Sequence, residues 1–295
     1  MAKSNTNSEL KKKVLVSIMM PVYNNEATLE LALQSIIQQT FTDWECIIVN
    51  DGSTDNTARI LANIADPRFN IVTFEVNQGR PFARQKALEL AEGKYLAFLD
   101  ADDFYHPDKL EKQVEILEKN QDVVVVSSGD ASYDGEFKLM TYRGVGDGVK
   151  RVFTIGQKLR CAMRTSMIRM SVAKQFMFDF RLKHAQDTNY MMRLMHNNKY
   201  IITPSIHYYY SEFSSVNLAK LLRTYYYSLI NVWSLREYNY SNSLKVVMLI
   251  VLKFLATIVL APFTGVKFFL KRRGQIPTIE MVQRFETALN NLNSK

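Results

Sequence analysis

The chain has 295 residues, of which 47% are apolar and 22% are charged, as in a globular protein with a sizeable core. Its net charge of +8 favours an anionic partner. The sequence contains no basic helix and no aromatic RNA-binding signature, so anionic lipid or a phosphorylated substrate is favoured over nucleic acid. The only cysteines, Cys46 and Cys161, exclude a disulfide framework and a cysteine-based zinc site.

The first 13 residues form a polar, lysine-rich tail. No apolar stretch precedes Val14, which argues against a secretory signal and predicts a main domain in the cytoplasm.

Short apolar runs alternate with segments of helical periodicity through the first half of the chain. The runs are Val14–Met20, Glu45–Asn50, Ile71–Glu75, Tyr95–Asp100 and Val123–Ser128. This alternation predicts an α/β fold with a mostly parallel, Rossmann-like sheet flanked by helices. In such sheets the ligand binds outside the carboxyl ends of the strands, where this chain carries its unusual polar residues.

A cluster of acids follows the fourth predicted strand. Asp100, Asp102 and Asp103 repel one another unless a cation or a ring of donors neutralises them. A hard divalent ion with oxygen ligands would serve. We expect Asp103 to lie at a helix entry, because His106 and Pro107 begin an amphipathic pattern.

Two long segments carry a family resemblance. They are VSIMMPVYNNEATLELALQSIIQQTFTDWECIIVNDGSTDNT and NQGRPFARQKALELAEGKYLAFLDADDFYHPDKL. In their order and motifs they resemble family 2 glycosyltransferases, which are inverting enzymes with the GT-A fold. The resemblance covers about residues 14 to 120.

The resemblance implies a site for a nucleotide-sugar donor, with a UDP-sugar favoured. It implies that Asp51 accepts a hydrogen bond from the uracil ring, and that Asp102, with Asp100, holds Mn²⁺ or Mg²⁺ at the diphosphate. The remaining residues that it places beside the donor are Pro21, Tyr23, Glu26, Gly52, Ser53, Arg80, Arg84 and Ala101.

Plainer explanations exist for each of these residues. Pro21 suits a strand end because proline lacks an amide donor, and Asp51 with Gly52 suits a turn. Arg80 and Arg84 could form a solvated basic face, but cations at a helix start oppose the helix dipole, which favours a nearby anion.

The catalytic base is expected further along the chain. Family members commonly show Glu-Asp before an amphipathic helix and an arginine after it, and this chain has Gln186, Asp187 and Arg193. The resemblance therefore implies that Asp187 is the base, while Gln186 departs from the usual acid. The alternative is that Asp187 only caps the helix.

The last 80 residues change character. Region 216–295 is rich in aromatic and basic residues and contains an apolar segment, 244–263, about as long as a membrane span. Lys245 and Lys253 interrupt it, so a helix in the membrane interface is favoured over a single-pass span. A buried helix or an oligomer contact is the third alternative. The cations that follow, Lys267, Lys271, Arg272 and Arg273, suit a cytoplasmic membrane surface.

These features predict a domain of residues 14–215, with a nucleotide half (14–128) and an acceptor half (129–215), and a membrane-associating appendage. The function expected is inverting transfer of a sugar to a saccharide or lipid-linked acceptor in cell-surface polysaccharide synthesis. A homo-oligomer stays open. The alternative is a nucleotide-sugar-binding scaffold that has lost turnover. A sugar-phosphate nucleotidyltransferase is disfavoured, because residues Met19–Glu26 contain no glycine.

Overall fold

A computed structural model describes residues 14–212, 218–238, 240–271 and 274–293; the predicted tail, 1–13, lies outside these ranges. The strands in the described ranges are β1 (Val16–Val22), β2 (Trp44–Asn50), β3 (Phe69–Thr73), β4 (Tyr95–Phe98), β5 (Asp103–Tyr105), β6 (Val123–Tyr133), β7 (Leu139–Arg143), β8 (Arg151–Val152), β9 (Ser166–Arg169) and β10 (Lys199–Ser211). The α-helices there are α1 (Leu29–Ile37), α2 (Thr57–Ala62), α3 (Arg80–Leu90), α4 (Lys109–Lys119), α5 (Met170–Ala173), α6 (Gln186–Met195), α7 (Leu218–Ser234), α8 (Tyr240–Thr264), α9 (Val266–Lys271) and α10 (Ile279–Asn293).

All these strands belong to one sheet, which confirms the predicted α/β class. Its main order is β3-β2-β1-β4-β9-β6-β10-β5, with β7 beside β6 and β8 beside β10. The first four strands in this order are parallel, as predicted, whereas β9 runs antiparallel to both of its neighbours. Because β10 pairs with β6, the predicted nucleotide and acceptor halves share the sheet.

Helices cover both faces of the sheet, which explains why its central strands are apolar throughout. On β1, Ile18 and Met20 pack on the face covered by α1 and α4, whereas Met19 packs on the face covered by α3 and α6. Strand β1 ends at Pro21–Val22 and strand β2 at Asn50, and the polar loops that follow them begin there. The packed sheet therefore fixes the loops at its carboxyl edge.

The region 216–295, predicted as one appendage, has two structural parts. Its last helix, α10, packs onto the sheet: Phe285 lies 5.9 Å from Phe104 and 5.1 Å from Tyr209, measured between ring centroids. The side chain of Gln38 in α1 also donates to the carbonyl of Asn291, at 3.1 Å. Helix α10 thus belongs to the core of the domain, because its apolar face is buried there.

Helix α8 remains outside that core. Its segment Ser243–Thr264 is long and apolar enough to cross a membrane, yet only 11% of the residues in its apolar 18-residue stretch are buried. Its buried residues, which include Thr257 and Ala261, mark the side that packs against α7. The alternative of an ordinary buried helix is therefore not observed, and residues 272–273 of the predicted cationic flank lie outside the described ranges.

A polar cluster joins α10 to the start of α4. The Arg284 guanidinium binds the Asp108 carboxylate at 2.9 Å, and Asp108 also contacts the rings of His106 and His207. Burial lowers the pKa of His207 to about 3, even though Asp108 opposes this effect. The His207 ring is therefore neutral in the folded protein at ordinary pH.

The low pKa of His207 predicts that acid destabilises the fold. Between about pH 6.5 and pH 3 the unfolded chain binds a proton at this ring that the folded chain does not, so stability falls as the pH is lowered. From pH 7 to pH 5 this ring alone should remove about 2 kcal/mol from the free energy of unfolding.

Urea unfolding of the native chain and of His207→Gln measures the effect. When the pH is lowered from 7 to 5, the free energy of unfolding of the native chain should fall by about 2 kcal/mol more than that of the variant. Between pH 7 and pH 9 the two should change in parallel, since His207 is neutral in both states. Equal losses on acidification would show that this ring does not control acid stability.

Candidate active site

A cleft with a volume of about 690 Å³ lies at the carboxyl ends of β1, β2 and β4. Residues at the start of α6 and on α7 also line the cleft. Nine of the predicted site residues line this cleft: Pro21, Tyr23, Asp51, Arg80, Arg84, Asp100, Ala101, Asp102 and Asp187. The structure thus brings together residues that are up to 166 positions apart in the sequence, from Pro21 to Asp187.

The other three predicted residues, Glu26, Gly52 and Ser53, do not line the cleft. The Ser53 hydroxyl accepts from the amide of Asn24 at 3.0 Å, and the Glu26 carboxylate accepts from the backbone and side chain of Asn56, at 2.8 Å each. These bonds connect the loops that follow β1 and β2. Their role in the structure is to shape the edge of the cleft.

Gly52 also has a structural role. Its φ of +68° is unfavourable for other residues, and a Cβ atom there would lie 2.6 Å from backbone atoms of Val76 and Asn77. Only glycine therefore lets the loop after β3 approach β2 this closely.

Asp51 organises the loop that leads into α3. Its two carboxylate oxygens accept hydrogen bonds from the amides of Gln78, at 2.7 Å, and Gly79, at 2.9 Å. A carboxylate has about four acceptor positions, so two remain for a ligand. Asp51 can therefore stabilise the turn and still accept a hydrogen bond from a uracil ring, as predicted.

Arg84 and Asp100 form an ion pair at the bottom of the cleft. The guanidinium of Arg84, which is only 5% exposed, lies 2.8 Å from the Asp100 carboxylate. Burial raises the pKa of Asp100, but the positive charges of Arg84 and Arg80 outweigh it and keep the pKa below its ordinary value. Arg80 itself is exposed at the first residue of α3. The basic start of this helix is therefore matched by an acid of the cluster.

Asp103 differs from the prediction, because it lies in β5 and not at a helix entry. Strand β5 pairs with β10, and the hydroxyl of Tyr208 in β10 donates to the Asp103 carboxylate at 2.7 Å. Burial and the charges of Asp102 and Asp100 hold the pKa of Asp103 well above its ordinary value. The same Tyr208 oxygen accepts from the Asp100 amide at 3.2 Å. Tyr208 thus fixes the acidic turn from behind.

The remaining two acids are suited to a divalent cation that shares its coordination with a substrate. Asp100 and Asp102 face the cleft, and no group of three metal-binding side chains occurs among the described residues. Magnesium is commonly held by one or two carboxylates together with substrate phosphates. The donor set therefore fits an ion bound jointly by these acids and a diphosphate.

Asp187 also lines this cleft, from the first turn of α6. It is the second residue of α6, after Ala185 at the N-cap, where no side chain makes a capping hydrogen bond. The alternative that Asp187 caps the helix is thus not what the structure has. Burial lowers the pKa of Arg84, but the charges of Asp100 and Asp187 raise it above its ordinary value. The two acids are therefore both electrostatic neighbours of one guanidinium.

The sequence did not identify several residues of the cleft. Arg164 lines it, pairs with Asp130, and lies over the ring of Tyr210 at 4.4 Å, but a single arginine before β9 carries no pattern. The helix α7 also contributes residues to the cleft. Conversely, Arg193 does not line the cleft, since its guanidinium donates to Asn189 and to the carbonyl of Met177.

Comparisons with known proteins agree with this geometry. Residues 17–200 match the Glycosyl transferase family 2 profile. Over 106 residues the chain is 41% identical to the UDP-Glc:alpha-D-GlcNAc-diphosphoundecaprenol beta-1,3-glucosyltransferase WfgD of Escherichia coli. Over 107 residues it is 47% identical to TuaG of Bacillus subtilis, a glycosyltransferase named for teichuronic acid biosynthesis. Each match covers 36% of this chain and 42% of the relative.

Solved structures show the same fold. The crystal structure of residues 1–349 of S. aureus TarS superposes with a TM-score of 0.65 at 18% identity, covering 94% of this chain and 81% of that one. TarS has also been solved with UDP and with UDP-GlcNAc. This likeness confirms the predicted GT-A architecture. Because the family profile matches more than half of its length, the chain belongs to glycosyl transferase family 2.

Proposed function

We propose that this protein is an inverting glycosyltransferase that moves a sugar from a UDP-sugar to a saccharide acceptor on a lipid carrier, in cell-surface polysaccharide synthesis. One observation carries the proposal. Asp187 and the Asp100–Asp102 turn line one cleft, and the Arg84 guanidinium is an electrostatic neighbour of both Asp187 and Asp100. A single displacement needs separate acids in one cleft, one at the attacking oxygen and one at the leaving group.

The donor half of the cleft has groups for each part of a nucleotide. The free acceptor positions of Asp51 suit the imide N–H of uracil, and the exposed ring of Tyr23 suits stacking on the base. Arg80, at the start of α3, suits a phosphate. The name of WfgD and the ligands of TarS, both of which contain UDP, support the choice of uridine.

Asp102 and Asp100 would hold Mn²⁺ or Mg²⁺ together with the diphosphate. When bound, such an ion supplies charge neutralisation for the leaving diphosphate. The Arg84–Asp100 pair holds one of the two carboxylates in place, since Arg84 is anchored in the buried part of α3.

Asp187 would remove the proton from the acceptor hydroxyl. As that oxygen forms its bond to the anomeric carbon, the bond from this carbon to the diphosphate breaks on the opposite side. The proton goes to the Asp187 carboxylate and the electron pair leaves with UDP, so no covalent intermediate is needed. Gln186 is buried next to Asp187, so it contributes packing where an acid would add a charge.

The proposal predicts different defects in two variants. The assay measures UDP release from a panel of UDP-sugars in the presence of Mn²⁺ and octyl-glycoside acceptors. Asp187→Asn should reduce acceptor-dependent release about 10²- to 10⁴-fold and leave UDP affinity unchanged, because it removes only the base. Asp102→Asn should instead abolish the dependence of UDP binding on Mn²⁺.

The outcome that contradicts the proposal is full transfer by Asp187→Asn, which would remove this residue as the base. UDP binding by the native chain without transfer or donor hydrolysis would instead favour the scaffold alternative. Arg181→Gln serves as a control, because the side chain of Arg181 is 86% exposed and does not line the cleft.

We further propose that α8 binds the cytoplasmic face of the membrane without crossing it. The exposed residues of α8 are almost all apolar, and Lys253 near its middle would be costly at the centre of a bilayer. Past Thr264 the chain returns to the catalytic domain, where Gln275 pairs with Tyr142. Eleven steps separate Thr264 from Gln275, five of them inside α9, and with the other six fully extended they reach at most about 29 Å. This is short of the roughly 40 Å of a bilayer with its headgroups, so the chain could not return from the far side.

Membrane binding through α8 predicts that the native chain stays with membranes in 1 M salt and is released by detergent. Replacing two exposed leucines, as in Leu252→Asp/Leu255→Asp, should move most of the protein to the soluble fraction. The control Val152→Asp changes an equally exposed residue on β8 and should stay in the pellet. Recovery of the native chain in the salt-washed soluble fraction would exclude this proposal.

A further inference from the structure

Helix α7 forms a wall of the cleft that the donor and the catalytic base do not use. Three residues, which we call the α7 wall, face the cleft: Thr224, Tyr227 and Ser228. They share one face of the helix because they are spaced three and four positions apart. Lys183 and His184 line the same cleft, as does the Asp100–Asp102 turn.

The α7 wall is held in a fixed relation to Asp187. The side-chain amide of Asn189, two residues after Asp187, donates to the side-chain oxygen of Asn231 at 2.9 Å, and both residues are buried. Asn231 lies one turn beyond Tyr227 on α7. A buried amide pair leaves little freedom for α6 and α7 to separate, because an unpaired buried amide would be costly. The base and the wall therefore form one unit.

The chemistry of the wall suits a sugar ring. The ring of Tyr227 lies 4.7 Å from that of His184, which gives an aromatic surface at the cleft, and the neighbouring side chains of Thr224 and Ser228 are hydroxyls. A pyranose has an apolar face of C–H groups, which packs on aromatic rings, and a rim of hydroxyls, which exchange hydrogen bonds with serine and threonine. The Ser228 hydroxyl donates to the Thr224 carbonyl at 2.7 Å, so it remains an acceptor for a sugar hydroxyl, and none of the three wall residues carries a charge.

Helix α7 also packs against the apolar helix α8. The ring of Tyr225, one position after Thr224, contacts that of Phe254 in α8 at 6.5 Å, and the hydroxyl of Thr257 lies 3.5 Å from that of Tyr225. Helix α7 thus lines the cleft with one face and packs against α8 with a neighbouring face. An acceptor bound at the wall would have the membrane close behind it.

We propose that the α7 wall, with His184, is the subsite for the terminal pyranose ring of the acceptor, with Tyr227 stacking on the apolar face of the ring. The inference rests on the proposed function, because it assigns the acceptor side of the same cleft. It adds a ligand class and a location: the sugar of a lipid-linked saccharide, bound next to the helix that contacts the lipid.

Binding of octyl pyranosides to the full chain tests the subsite without requiring turnover. Saturation-transfer NMR is measured on a panel of octyl glycosides, in a polyoxyethylene detergent, because a maltoside detergent would compete. Tyr227→Ala should lower the affinity for the glycoside that binds best about tenfold. Tyr227→Phe keeps the ring, so its affinity should stay within about threefold of that of the native chain.

The neighbouring tyrosine provides a matched control. Tyr226 is 57% exposed and does not line the cleft, although its ring contacts that of Tyr227 at 5.3 Å. Because Tyr226→Ala keeps the Tyr227 ring, it should change glycoside affinity less than twofold. Affinity for UDP, measured by calorimetry on all four proteins, should be unchanged. Equal effects of Tyr227→Ala and Tyr226→Ala, or no glycoside binding by the native chain, would overturn the subsite.

The two proposals fail in different ways. Glycoside binding that depends on Tyr227, in a chain that binds no UDP, would support the subsite and contradict the proposed transfer. UDP binding together with glycoside binding that ignores Tyr227 would contradict the subsite alone.

Discussion

The buried ion pair between Arg84 and Asp100 is the contact on which the site depends. A guanidinium that is almost fully buried needs a charged partner. Asp100, which follows β4, provides its carboxylate 2.8 Å from the Arg84 guanidinium. The pair therefore fixes α3, whose first residue Arg80 lines the cleft, against the turn that carries Asp102. Tyr208 completes the arrangement, since its hydroxyl bonds both the Asp100 amide and the Asp103 carboxylate.

This arrangement resolves the repulsion expected among three neighbouring acids. Asp100 is neutralised by arginine, and Asp103 is withdrawn into the sheet, where its pKa is raised by burial and by the other two charges. The acids thus take different roles although they are adjacent in the sequence. Of the three acids in this cluster, only Asp100 and Asp102 line the cleft.

Much of the nucleotide half could be predicted from the sequence because its signals are local. Buried parallel strands have continuous apolar runs, and the polar residues that end them, such as Asp51 and Asp102, mark the edge of the sheet. The structural roles of Glu26 and Ser53 could not be predicted, because their partners lie on another loop about 30 positions away.

The acceptor side is less visible in the sequence because its residues are scattered. Arg164 and Tyr227 belong to no motif. They reach the cleft only because β9 pairs with its neighbours in the sheet and α7 packs on α6. The position of α10 was missed for a related reason. Its apolar face resembles that of any surface helix, and only the tertiary contacts of Phe285 show that it packs on the sheet.

The anomeric configuration of the product tests the central claim most directly. If Asp187 activates the acceptor oxygen while UDP leaves from the opposite face, transfer from an α-linked UDP-sugar gives a β-linked product in one step. Proton NMR of the anomeric centre, recorded on the first product formed, distinguishes the two configurations. We predict the β-glycoside. An α-glycoside would contradict a single displacement and the role assigned to Asp187.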